Sequence, residues 1–70
     1  MKAIRHKEVI KKLQELGTQF IREGKGSHSI YKLNGRTTSI PNHKEVSPGV
    51  LRNIIRDLAL DRDLFNDLAA

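Results

Sequence analysis

The 70-residue sequence predicts an α+β domain in the order helix, three-stranded antiparallel meander, helix, with both helices on one face of the sheet. Three observations predict it. An apolar stripe at helical spacing runs through residues 6–16. Asn34-Gly35 separates two runs of strand-forming residues. Ser47-Pro48 opens a second apolar stripe at helical spacing.

The first helix is read from Val9, Ile10, Leu13 and Leu16, which fall on one stripe, while Lys7, Lys11, Lys12 and Glu15 cover the other faces. Glu8 and Lys12 form a favourable i,i+4 pair, and Gly17 is placed to end the helix. No Ser, Thr, Asp or Asn stands just before Lys7, so the helix start is loosely marked. Thr18 to Glu23 reads as a strand, Gly24-Lys25-Gly26 as a turn, and His28 to Leu33 as a second strand. Asn34-Gly35 then turns the chain into a third strand, Arg36 to Ile40, which Pro41 stops. Asn42 to Val46 reads as a polar loop. The second helix begins with Ser47 as N-cap and Pro48 at its first position. Its stripe is Val50, Leu51, Ile54, Ile55 and Leu58, and it runs to about Leu60. Asp61-Arg62-Asp63 interrupts the pattern, and Leu64, Phe65 and Leu68 resume it as a short extra helix or frayed extension. Strand alternation places Ile30 toward the helices and His28 on the same face at its rim, with Tyr31 and Leu33 pointing the other way. A bulge beside Gly26 would reverse that assignment.

A chain of this length is one domain, 1–70, with its core at about 6–60 and a short acidic extension at 61–70. The absence of cysteine excludes a disulfide framework or thiolate metal site. No apolar run is long enough to cross a bilayer, and MKAIRHKE has no apolar stretch after its charges, so a cytoplasmic protein with no membrane partner is expected. Charge is uneven. Residues 1–56 hold 12 Lys and Arg against 4 Asp and Glu, a net of +8, whereas residues 57–70 hold one Arg against four Asp, a net of −3. The basic body favours a polyanion, because each phosphate it neutralises releases counterions.

The segments KEVIKKLQELG, GKGSHSIYK and TTSIPNHKEVSPGVLRNIIRDLAL, in this order and spacing over about residues 7–60, resemble the HicA (YcfA-like) toxin family of bacterial toxin–antitoxin pairs. The resemblance implies an element order like that of the double-stranded-RNA-binding domain. It also implies a small ribonuclease that cuts mRNA and is held inactive by a HicB antitoxin that covers the active site. The family's catalytic histidine follows glycine and a small polar residue at the second strand, which here is His28 after Gly26 and Ser27. His43, in Pro41-Asn42-His43, matches a position in the family's third-strand loop. The chain departs from the pattern in its uncapped first helix and in the acidic segment past Leu60, a candidate contact for the antitoxin.

RNA carries its own nucleophile, the 2′-hydroxyl, so a metal-free ribonuclease needs a base, an acid and positive charge near the phosphorane oxygens. An unperturbed imidazole titrates near about 6.5 and serves in both protonation states at neutral pH. His28 is therefore the candidate catalyst for transesterification to a 2′,3′-cyclic phosphate and a 5′-hydroxyl. Lys25 and the backbone N–H groups of Gly26 and Ser27 are candidates to hold the phosphate, and Lys32 and Arg36 to carry the strand on either side. The second proton transfer falls to Tyr31, Lys25 or water; His43 is a second-tier residue placed to approach the substrate, and His6 reads as an exposed residue of the first helix. Without the resemblance, a lone strand histidine is more often packed or solvated than catalytic. No carboxylate–histidine cluster stands at ligand spacing, so neither metal nor cofactor is expected. The alternatives are a non-catalytic double-stranded-RNA-binding module and a protein-interaction subunit with a basic docking face. The first of these usually carries a basic cluster at the start of its second helix, and Ser47-Pro48-Gly49-Val50-Leu51 has none.

Overall fold

A computed structural model describes residues 2–68; residues 1, 69 and 70, at the ends of the expected domain, lie outside the described residues. The element order is β1 (Ile4–Arg5), α1 (His6–Glu15), β2 (Gln19–Glu23), β3 (His28–Leu33), β4 (Arg36–Pro41), β5 (Glu45–Val46) and α2 (Pro48–Leu58). Strands β2, β3 and β4 form the expected antiparallel meander, with β3 in the middle. The fold is thus α+β, two helices with a three-stranded antiparallel sheet.

The loop expected at 42–46 carries a short element of its own. Glu45–Val46 pairs antiparallel with Ile4–Arg5, outside the main sheet. This ribbon explains how α1 begins without a capping side chain. The His6 backbone N–H donates to the Lys44 carbonyl at 2.9 Å, which satisfies one of the donors a helix start leaves open. His6 is accordingly not an exposed helix residue. It is half-buried, and its Nε2 is fully enclosed without a hydrogen-bond partner.

Helix α2 opens as the sequence predicts, with Ser47 Oγ accepting from the Val50 N–H at 3.3 Å and Pro48 in the first turn. It ends at Leu58, two residues earlier than expected. Ala59 adopts a left-handed φ of 54°, and the Leu60 N–H turns back to the Ile55 carbonyl at 2.9 Å. Leu51, Ile54 and Leu58 face inward and meet Val9 and Leu13 of α1 in one core with Ile4, Ile40, Val46 and Phe65. Each such side chain stabilises the fold by about 1.5–3 kcal/mol on burial. Residues 61–68 form successive turns rather than a helix. They bring Phe65, the largest fully enclosed side chain, into that core. Lys12 and Asp67 pair at 3.0 Å and fasten these turns to α1; the bond from Lys12 holds the Asp67 carboxyl below the usual carboxylate range.

The face of the sheet that meets the helices is the reverse of the sequence-based assignment. Ile40 is fully buried and stands opposite Ser29, and Thr38, also buried, stands opposite Tyr31. Ser29, Tyr31 and Leu33 therefore share the helix-facing side, where Tyr31 and Leu33 pack against the core. His28, Ile30 and Lys32 occupy the open side. The reason is polar. Ser29 Oγ lies 3.1 Å from Glu23 Oε1 and 3.0 Å from Asn42 Oδ1, so a network of side chains holds serine inward. The apolar Ile30 is covered instead by the glycine turn, since a Cβ on Gly24 would lie 3.2 Å from Ile30 Cδ1.

Candidate active site

His28 is the first residue of β3, half-buried on the open side of the sheet, directly opposite Pro41. Three backbone features fix it there. The Gly24 N–H donates to the His28 carbonyl at 2.8 Å and closes the four-residue loop Gly24–Ser27. The Asn42 N–H donates to the Ser27 carbonyl at 2.6 Å and ties the same loop to the end of β4. Gly26 carries a φ of +62°, a left-handed conformation that a side chain would strain. Beneath the loop, on the helix-facing side, Glu23, Ser29 and Asn42 join the ends of β2, β3 and β4; Asn42 Nδ2 also reaches Glu23 Oε2 at 3.5 Å. One serine proton serves one acceptor at a time, so Ser29 links the carboxylate and the amide without saturating either. Motif reading did not find these three residues. Their signal is only positional: each stands at a strand end.

The structure gathers some of the predicted site residues and separates others. Lys25, Gly26 and Ser27 form the exposed loop beside His28. His43 is exposed and follows Asn42, whose backbone bonds the loop, so His43 is brought to the same end of the sheet. Lys32 is exposed on the same side as His28, four residues along β3. Arg22, missed by sequence reasoning, stands opposite Ile30 in this row, because the register shift between Phe20 and Arg22 places it there.

Arg36 and Tyr31 are elsewhere. Arg36 pairs with Leu33 at the opposite end of β3, about 17 Å from His28 by strand rise. Its Nε donates to the Asp57 carbonyl at 2.7 Å and Nη2 to the Arg56 carbonyl at 3.5 Å, so its charge sits on the C-terminus of α2. Tyr31 lies on the helix-facing side, in an edge-to-face contact with Phe20 at 5.7 Å. Burial, and secondarily the charge of Glu23, push its phenol above the usual 10.0. It holds its proton more tightly than a free tyrosine, with the sheet between it and His28. Among the described residues no three His, Cys, Asp or Glu side chains are grouped to hold a metal ion, and no helix is long and apolar enough to cross a membrane.

Comparison with known proteins resolves what this arrangement belongs to. Residues 6–60 match the family described as HicA toxin of bacterial toxin–antitoxin. The chain belongs to the HicA toxin family. Within HicA proteins, it is 36% identical over 59 residues to the probable mRNA interferase HicA of Pseudomonas fluorescens (strain Pf0-1). That alignment covers 81% of this chain and 97% of the relative. No solved structure matches the chain. The HicA match spans both helices, all three sheet strands and the Gly24–His28 segment, and it stops before Phe65.

Proposed function

We propose that this HicA-family chain is a toxin ribonuclease that cuts mRNA by metal-independent transesterification at His28 and is neutralised in the cytoplasm by a HicB-type antitoxin. The observation that carries the reading is the position of His28: a half-buried imidazole on the open side of the sheet beside a cationic glycine loop, inside a chain whose relative is named an mRNA interferase.

In this reading, His28 accepts the proton of a ribose 2′-hydroxyl, and the oxygen attacks the adjacent phosphorus. The bond to the 5′-oxygen breaks, leaving a 2′,3′-cyclic phosphate and a 5′-hydroxyl. The leaving oxygen takes its proton from His43 or from water, and His43→Ala distinguishes the two. Lys25 and the N–H groups of the Gly26 turn offset the charge that builds on the phosphoryl oxygens. Arg22 and Lys32 line the open face along which the strand runs. Proton transfer by a positioned side chain is worth about 10²–10⁴-fold.

The test is cleavage of single-stranded RNA in chelator beside the same strand with 2′-deoxy sugars at every position. RNA is expected to be cut and the deoxy strand to survive, and His28→Ala is expected to abolish cutting while remaining folded. Retention of RNA without cutting would instead favour a binding module.

A further inference from the structure

Strand alternation sorts the charges of the main sheet by face. On the open side β3 presents His28, Ile30 and Lys32. The ladder sets Arg22 of β2 beside Ile30 on one flank, and Ser39 and Thr37 of β4 beside Ile30 and Lys32 on the other. No Asp or Glu stands among them. Glu23 is the one acid in the sheet, and its carboxylate is bonded to Ser29 on the helix-facing side. The other acids belong to α1, β5, α2 and the turns that follow α2. Among the described residues the ion pairs are Lys12–Asp67 and Arg56–Asp57, so no carboxylate partner offsets Arg22, Lys25 or Lys32. Arg22 Nη1 donates to the neighbouring Glu23 carbonyl at 3.3 Å, which leaves its charge in place.

The spacing of these cations is set by the strand. Residues two apart on one face are separated by about 7 Å, so Arg22 stands about 7 Å along the sheet from His28, and Lys32 about 14 Å. That step is close to the one between successive phosphates of an extended nucleic-acid strand. Sheets that read bases stack them on aromatic rings. Here Phe20 and Tyr31 meet on the helix-facing side, and the third aromatic residue, Phe65, is enclosed in the core. The open face therefore offers cations and hydroxyls but no ring.

We propose that the open face is a backbone track for an extended single strand of RNA. With the scissile phosphate at His28 and the Gly24–Ser27 loop, Arg22 holds the next phosphate and Lys32 the one after, and the bases go unread. The inference rests on the ribonuclease reading for the place of the scissile phosphate. A duplex fits this face less well. An A-form helix is gripped across successive minor grooves, whereas these cations lie in one short row. In-line attack by a 2′-hydroxyl also requires a ribose free to leave helical stacking.

The experiment is equilibrium binding of the full chain, over a series of salt concentrations, to a single strand whose riboses are all 2′-O-methylated. That strand lacks the nucleophile and keeps the phosphates. Arg22→Gln and Lys32→Gln are each expected to weaken binding and to lower the slope of log affinity against log salt by about 0.7. The loss should be the same for uridine-rich and adenine-rich strands. Lys11→Gln removes the same charge from the exposed surface of α1 and is expected to leave the slope unchanged. Unchanged slopes in the first two variants overturn the proposal. So does an equal change in Lys11→Gln, which would reduce the effect to net charge, and so does a loss confined to one base composition, which would make the face a reader of bases. Tighter binding of the same strand annealed to its complement overturns it as well. If wild type cuts no unmodified RNA while the slopes fall as expected, the ribonuclease reading fails and the track stands. Cutting with unchanged slopes keeps that reading and removes the track.

Discussion

The two ends of β3 look alike in sequence and behave differently in the fold. Each has a glycine-containing turn and a neighbouring cation. At one end Asn34 and Gly35, with φ of 51° and 79°, make the shortest possible hairpin, and Arg36 is bonded to the carbonyls of α2. At the other end a four-residue loop leaves Lys25 exposed and presents His28 to solvent. The first end is closed on itself. The second is braced from beneath by Glu23, Ser29 and Asn42 and remains open above. A basic residue near a glycine turn is therefore no indicator of a site until its partners are known.

The comparison can be broken most directly at His28. Substitution by Ala is expected to lower RNA cutting by about 10²–10⁴-fold, with a melting shift smaller than about 4 °C. The glycines offer a matched pair. Gly26→Ala and Gly35→Ala each place a side chain in a left-handed conformation and should cost about 1–2 kcal/mol in denaturant unfolding. Only Gly26→Ala should also reduce cutting, by about tenfold, because only that turn presents its N–H groups beside His28. Equal activity in the two variants would remove the distinction between the ends. Arg36→Ala should destabilise by about 1 kcal/mol and leave cutting unchanged, since its donors serve α2. The smallest effect belongs to Tyr31. Its phenol is raised above 10.0 in the fold, so the stability it contributes is fully present below that pH and is lost as pH climbs through the raised value. Wild type should therefore lose stability more steeply than Tyr31→Phe in unfolding measured from about pH 9 upward, with the two curves parallel below.

Much of the fold was legible because its signals are local. Two helical stripes, Ser47-Pro48 and Asn34-Gly35 place both helices and the β3–β4 hairpin nearly to the residue. What was illegible depends on distant partners. The β1–β5 ribbon is two residues per strand, too short for any alternation to appear. The facing of the sheet was misjudged because apolarity favours Ile30 inward, whereas the bonds that draw Ser29 inward come from Glu23 and Asn42, six and thirteen residues away. At the candidate site, the residue types around His28 were readable from the glycine–serine–histidine run. The alternation of β3 already set Tyr31 on the face opposite His28; the removal of Arg36 was not readable, since it is fixed by the carbonyls at the end of α2.

Phe65 lies beyond the stretch shared with the family, yet no larger side chain is so fully enclosed. A protease that trimmed this chain at Leu60 would leave an aromatic-sized hole in the core rather than a tidier terminus. The last turns thus belong to the core, and a chain ended at Leu60 is expected to be less stable than one that keeps Phe65.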